Sequence, residues 1–308
     1  MLPTFDISKI KALCLTGSGM LYPLHLGFLQ AMSELVQDQI QCVAGVSGGS
    51  FSAFLYLVCA NSKSTFQKAI DSFLEPGLEC LLQRPSIETL VQRYGLFSTE
   101  QFENYFIDLL RIYGRCDGKE GRPSPHMTFQ ELYNYTGKHL IVVATDTTHK
   151  SPKYFNTRDT PNCSVLEAVR YSMTVPGIFA LQDNRNHGHL FQSKLSTHSD
   201  WKYIDGAFSD GYPAQFLMQY GNYSKYEILG HYIDDPPMNS QKSMDALSFL
   251  KSQASYILSA RVNPDLEYTI VAPLKCGEDM MTRFNKAQRQ QLFERAHDNT
   301  VNQLPRSY

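Results

Sequence analysis

The chain has 308 residues, 43% of them hydrophobic and 19% charged, enough to bury a sizeable core as one large domain or two small ones. Its 28 basic and 30 acidic side chains leave a net charge of −2, which excludes the global basic excess of a nucleic-acid binder. Seven cysteines, at 14, 42, 59, 80, 116, 163 and 276, are odd in number and free of C-x-x-C spacing; this excludes the familiar zinc patterns and fits reduced thiols in a cytosolic setting, most of them small core residues.

The N-terminus lacks a basic region followed by an apolar one, so no secretory signal is expected. Residues 10–16 (IKALCLT) read as a buried strand ending in Gly17-Ser18-Gly19, and Pro23 opens a helix to about residue 36, with Leu24, Phe28, Ala31 and Leu35 at helical spacing. Residues 40–44 read as a second short strand and 50–60 as a helix. The longest apolar run, 51–60, is too short for the ~20 residues a bilayer span needs. Strand, helix, strand and helix in quick succession imply a parallel sheet with right-handed crossovers.

Ser98-Thr99-Glu100-Gln101 has the form of a capping box before a helix to about 113, and Thr128-Phe129-Gln130-Glu131 that of another before a helix to 135. Between them, 114–125 is rich in Gly, Pro and charge and reads as a loop. The strand 139–145 (HLIVVAT) then resumes the α/β pattern. Helices near 164–173, 214–220, 241–258 and 283–297 and strands near 226–233 and 266–272 complete a single domain over 1–308, with no internal repeat. Apolar Phe73-Leu74 and residues 78–82 read as buried core, with a lipid-facing lid as the alternative.

Gly45-Val46-Ser47-Gly48-Gly49 is a G-x-S-x-G pentapeptide between the second strand and its helix, the pattern of a nucleophile elbow. Gly45 and Gly49 suit a strained turn with close backbone approach, and Ser47 is the candidate nucleophile. Gly17-Ser18-Gly19-Met20, after the first strand, offers backbone N–H groups for an oxyanion, Gly19 and Met20 foremost. Read instead as a dinucleotide fingerprint it fails at Tyr22, and a tight structural turn is the plainer alternative. Ser47 needs a base. Of three Asp-Gly pairs, Asp117 falls in the polar loop. Asp205 follows Trp201, Tyr203 and Ile204 at the end of a predicted strand, and Asp210 is its runner-up. A lone aspartate serves as base only in a dry pocket that raises its proton affinity.

These blocks together resemble the patatin-like phospholipases, serine lipid acyl hydrolases that use a Ser-Asp dyad. L-x-L-T-G-S-G running on to His25-Leu26-Gly27-Phe28-Leu29 resembles the family's oxyanion loop and helix. The elbow resembles its nucleophile turn, Thr128 to Asp146 its helix-then-strand segment, 170–179 its S-x-x-x-P-x-x-F stretch, and Asp205-Gly206-Ala207 its D-G-[GA] triplet. The blocks fall in the family's order within residues 10–214; residues 215–308 match no motif and read as a helix-rich completion of the fold. Ser18, Leu21 and Tyr22 replace a glycine, a basic residue and a glycine of the usual loop. The resemblance implies a three-layer α/β/α fold with a mainly parallel central sheet, and Ser47 and Asp205 as catalytic residues. It further implies phospholipase A-type cleavage of fatty-acyl esters of glycerophospholipids through an acyl-serine, with no metal or cofactor. The expected setting is cytoplasmic or at a peripheral membrane surface, the partners lipid esters and not nucleic acid; the sequence names no activating protein. The turn Pro176-Gly177-Ile178-Phe179 is expected to line the site or to act as a structural kink. Two other readings stay open: a Ser-His-Asp esterase using His231 or His297, and a catalytically weak lipid-binding or interaction protein on the same fold.

Overall fold

The structure, a computed structural model, describes residues 6–59, 63–78, 80, 85–98, 104, 106–108, 111–112, 126–180, 202–234, 266–275, 277–280 and 282–304. The predicted helix at 241–258, the loop at 114–125 and most of the capping box at 98–101 lie outside the described residues.

Strand β1 (Ala12–Leu15) is buried on both faces, as its unbroken apolar sequence requires. It lies parallel to β2 (Cys42–Val46) on one side and to β8 (Ile228–Tyr232) on the other. Strand β4 (His139–Asp146) extends the parallel set beyond β2, and β9 (Tyr268–Val271) beyond β8. Strand β5 (Ser151–Phe155) returns antiparallel on β4 after a turn capped by the Asp146 carboxylate. Strand β7 (Tyr203–Asp205) also pairs with β4, antiparallel, so the order β5-β4-β2-β1-β8-β9 forks at β4. The sequence placed Asp205 in the context of parallel strand ends. It does end a strand, but an antiparallel one.

Side chains alternate between two helical layers. Leu13, Leu15, Val43 and Val46 face a large core shared with α1 (Tyr22–Leu35), α2 (Gly48–Cys59), α3 (Lys63–Leu74) and α8 (Lys286–Gln303). The smaller Ala12, Cys14, Cys42 and Ala44 face a second cluster with α7 (Ala214–Gly221). Between them in the chain come α4 (Ile87–Arg93), β3 (Gly95–Phe97), α5 (Phe129–Thr136), α6 (Val165–Met173) and β6 (Gly177–Phe179). Helix α5 carries the expected capping box, with Thr128 Oγ1 accepting from the Glu131 amide at 3.2 Å and Glu131 accepting from the Thr128 amide at 2.7 Å. The result is the expected three-layer α/β/α arrangement around a mostly parallel sheet. After residue 214 the strands expected near 226–233 and 266–272 are present as β8 and β9, which extend the sheet beyond β1.

Phe73, Leu74 and Leu78 are buried, so the core reading holds at those positions and the lid reading does not; Leu81 and Leu82 lie outside the described residues. Helix α1 is buried almost all round, pressed on one side against α8 at Gly27, where a Cβ would collide with the Phe293 carbonyl oxygen. We therefore expect Gly27→Ala to lower the free energy of unfolding by about 1–3 kcal/mol in chemical denaturation, and an unchanged midpoint would show the two helices to be further apart.

Candidate active site

The elbow forms because β2 runs straight into α2 with a single residue, Ser47, at the corner. Its φ is +51°, a left-handed conformation costly to a residue with a Cβ. Glycine on each side makes the corner possible: a Cβ on Gly45 would strike the Gly49 backbone, and one on Gly49 the Thr16 carbonyl oxygen. The Ser47 carbonyl accepts from the Ser50 amide at 2.9 Å and starts the helix, while its amide donates to Ser172 Oγ at 2.8 Å. Side-chain and backbone atoms of Ser47 are thus fixed in different directions.

The Ser47 hydroxyl donates to Asp205 Oδ2 at 2.7 Å. Asp205 Oδ1 accepts from the Ala207 amide at 2.9 Å, and the aspartate's own backbone is pinned on both sides. Its N–H donates to the Thr174 carbonyl at 2.9 Å and its carbonyl accepts from Thr145 Oγ1 at 2.7 Å. Asp205 has no exposed surface and Ser47 only 7%. Burial lifts the Asp205 carboxyl to about 7, and the donors from Ser47 and Ala207 pull it only part of the way back. A carboxylate in that range is a competent base near neutral pH.

Residues 17–20 close over the elbow: a Cβ on Gly17 would lie 3.8 Å from Ser47 Cβ. Met20 differs from the expectation, since its N–H donates to the Met280 carbonyl at 2.8 Å and is not available to an oxyanion. The amides of Gly17, Ser18 and Gly19 donate to no group among the described residues. Ser18, Leu21 and Tyr22, the three departures from the usual loop, are all fully buried. Leu21 sits inside the main core, where an unpaired cation would be costly, so the absent basic residue belongs to a rebuilt apolar loop.

The other candidates lie elsewhere. Asp210 accepts from Tyr154 Oη at 2.8 Å and from the Tyr212 amide. Asp117 is outside the described residues. His297 bonds Glu34 and Asp298 on a half-exposed helix face. His231 is buried against His25, with their Nδ1 atoms 2.8 Å apart. Among the described residues no histidine bonds Ser47 or Asp205.

The buried histidine pair went unread in the sequence, where its members lie 206 positions apart. His25 Nε2–H donates to the Thr16 carbonyl at 2.9 Å, which leaves His25 Nδ1 as acceptor and makes His231 Nδ1 the donor. Both rings are therefore neutral, and His231 stacks on Phe28 with ring centres 4.5 Å apart. Burial holds His25 down at about 3 and His231 well below its ordinary value. The pair fastens the last residue before the 17–20 loop. Ser172 and Thr174 were also unassigned, although both fall inside the S-x-x-x-P-x-x-F segment that the sequence singled out.

Against this geometry, a family model for patatin-like phospholipases matches residues 13–218. The chain belongs to the patatin-like phospholipase family. It is 25% identical over 281 residues to a probable lipid hydrolase of Invertebrate iridescent virus 6, covering 90% of this chain and 86% of that one. It is 24% identical over 232 residues to triacylglycerol lipase 5 of Saccharomyces cerevisiae, covering 68% of this chain and 28% of that protein. The solved structure of VipD from Legionella pneumophila shares the patatin-like fold with a TM-score of 0.54 at 15% identity, over 96% of this chain and 66% of the other. The chain thus spans most of the viral relative and a smaller share of the yeast one.

Acid should weaken this fold through the histidine pair. From about 6.5, the ordinary histidine value, down to about 3, the unfolded chain binds protons on His25 and His231 that the folded chain refuses, so stability falls with pH across that window. Asp205 works oppositely between 3.8 and about 7, one proton against two. Replacing both histidines (His25→Gln with His231→Leu) should flatten the acid side of the profile in denaturant titrations; an unchanged slope would contradict a neutral pair.

Proposed function

We propose that the chain hydrolyses fatty-acyl esters of glycerophospholipids in phospholipase A fashion, with other lipid esters as further substrates. The observation that carries this reading is the 2.7 Å hydrogen bond from Ser47 to a buried aspartate whose carboxyl is lifted to about 7. Family membership and relatives named lipid hydrolase and triacylglycerol lipase support the substrate class.

Asp205 takes the Ser47 proton as Oγ attacks the ester carbonyl. The oxyanion rests on the free amides of Gly17, Ser18 and Gly19, held at the mouth of the N-terminus of α2. Collapse releases the alcohol, here a lysophospholipid, which takes the proton from Asp205. Water then attacks the acyl-serine as Asp205 takes its proton, and collapse breaks the bond to Ser47 Oγ, which recovers that proton as the fatty acid leaves. An alkoxide departs more readily than an amide nitrogen, so one carboxylate can serve both steps. The site needs no metal for this sequence. Among the described residues no helix is long and apolar enough to cross a membrane, and the substrate is expected to be met at a lipid surface.

With mixed-acyl phospholipids, Ser47→Ala and Asp205→Asn should each lower fatty-acid release by roughly 10³-fold or more. A Ser47→Ala protein that still released fatty acid at full rate would end the reading. On a soluble ester, kcat/KM of the wild type should rise with pH through about 7 and level off above it, because Asp205 is active only when ionised. A profile already flat from pH 5 upward would remove Asp205 as the base.

A further inference from the structure

Helix α4 presents an apolar stripe to solvent. Ile87, Val91 and Tyr94, at i, i+4 and i+7, are 77%, 71% and 56% exposed. Single exposed apolar side chains are ordinary, but two a turn apart on a seven-residue helix, with a third at its C-cap, form a patch. Ser86 caps the helix start, with its hydroxyl accepting from the Thr89 amide, so the stripe rides on a defined helix. At the other end Tyr94 sits at φ +56°, a conformation that bulky residues avoid. Its carbonyl accepts from the Gly177 amide at 2.9 Å, which keeps the strained residue in place.

The stripe is tied to the candidate active site. Directly after Tyr94, β3 pairs with β6, and the Phe97 carbonyl accepts from the Ala180 amide at 2.8 Å. The residues leading into β6 include Ser172, which holds the Ser47 amide, and Thr174, which holds the Asp205 amide. A body resting on α4 is therefore two hydrogen-bonded steps from the dyad. The helix carries one acid, Glu88, and one base, Arg93, so its charges balance, and with the whole chain at a net −2 the stripe suits an electrically neutral partner.

We propose that the α4 face docks the enzyme on a zwitterionic lipid surface, with Ile87, Val91 and Tyr94 inserting among acyl chains and headgroups. The proposal rests on the lipid-hydrolase reading and names the surface through which that site meets its substrate. Aliphatic side chains that enter the acyl boundary beside an interfacial tyrosine match the way amphipathic faces hold neutral bilayers. Attachment is apolar, so it does not weaken at high salt.

The test uses the full chain and phosphatidylcholine vesicles. Ile87→Ser with Val91→Ser should lower vesicle co-sedimentation and vesicle hydrolysis by about tenfold or more, and leave turnover of a soluble short-chain ester unchanged. Ser47→Ala should bind vesicles as the wild type does while losing both hydrolytic activities, which separates a failure of the catalytic reading from a failure of the docking surface. As a second measurement, Ile87→Trp should show a blue-shifted emission on adding vesicles, beyond the change seen with the wild type. Wild-type vesicle binding by the double variant, an equal loss on vesicles and soluble ester, or no shift for Ile87→Trp would each overturn the proposal. So would a concentration-dependent dimer that the double variant abolishes, because the face would then belong to a second copy.

Discussion

A carboxyl without water is the constraint on which this molecule is organised. Asp205 has no exposed surface, and burial lifts its carboxyl to about 7, so holding it ionised costs free energy. Among the described residues two donors reach its carboxylate, the Ser47 hydroxyl and the Ala207 amide. The same dryness that makes ionisation costly gives a weak acid the proton affinity of a base. Bulk solvation of Asp205 would stabilise its charge and lower its proton affinity, whereas a single water admitted beside it would still meet a carboxylate in a dry pocket.

Keeping that pair dry and aligned takes bonds that do no chemistry. Thr145 and Thr174 grip the backbone of Asp205, Ser172 grips the amide of Ser47, and the two histidines clamp Thr16 at the root of the 17–20 loop. Each contributes on the order of 1 kcal/mol as an ordinary hydrogen bond, and leaving a buried partner unmatched costs more. Their main effect is positional. Ser47 is held in a left-handed conformation that its own Cβ resists, and a corner under such strain persists only where its surroundings overdetermine it.

The elements that carry local signals were legible in the sequence. The apolar runs of β1 and β2 and the capping box of α5 each reflect a rule acting within a few residues, and the structure has them where expected. The glycines around Ser47 reflect a close backbone approach, which leaves a trace in residue type. What escaped were pairings over long separations. Nothing in His25 or in His231 announces the other, because a buried neutral histidine looks the same in sequence as a solvated one. The antiparallel course of β7 was hidden for a similar reason: three residues give no direction, and their partner on β4 lies some sixty positions earlier. Met20 was assigned as an oxyanion donor from its place after Gly19, yet Met280 takes its amide from across the fold.

The altered loop differs from the family's usual one in side chains, not in the backbone that carries its amides. Backbone amides do not depend on side chains, so a serine at 18 still supplies an N–H. The substituted side chains instead have turned inward. Tyr22 packs edge-on against Phe73 with ring centres 5.0 Å apart, and Leu21 joins the same core. Where the usual loop carries a basic residue, this one is held by packing and by the histidine clamp on Thr16. In the proposed reaction, anion stabilisation falls to the backbone amides and to the N-terminus of α2. The ester substrate we propose suits such a site better than an amide would, since an ester's leaving group asks less of the catalyst.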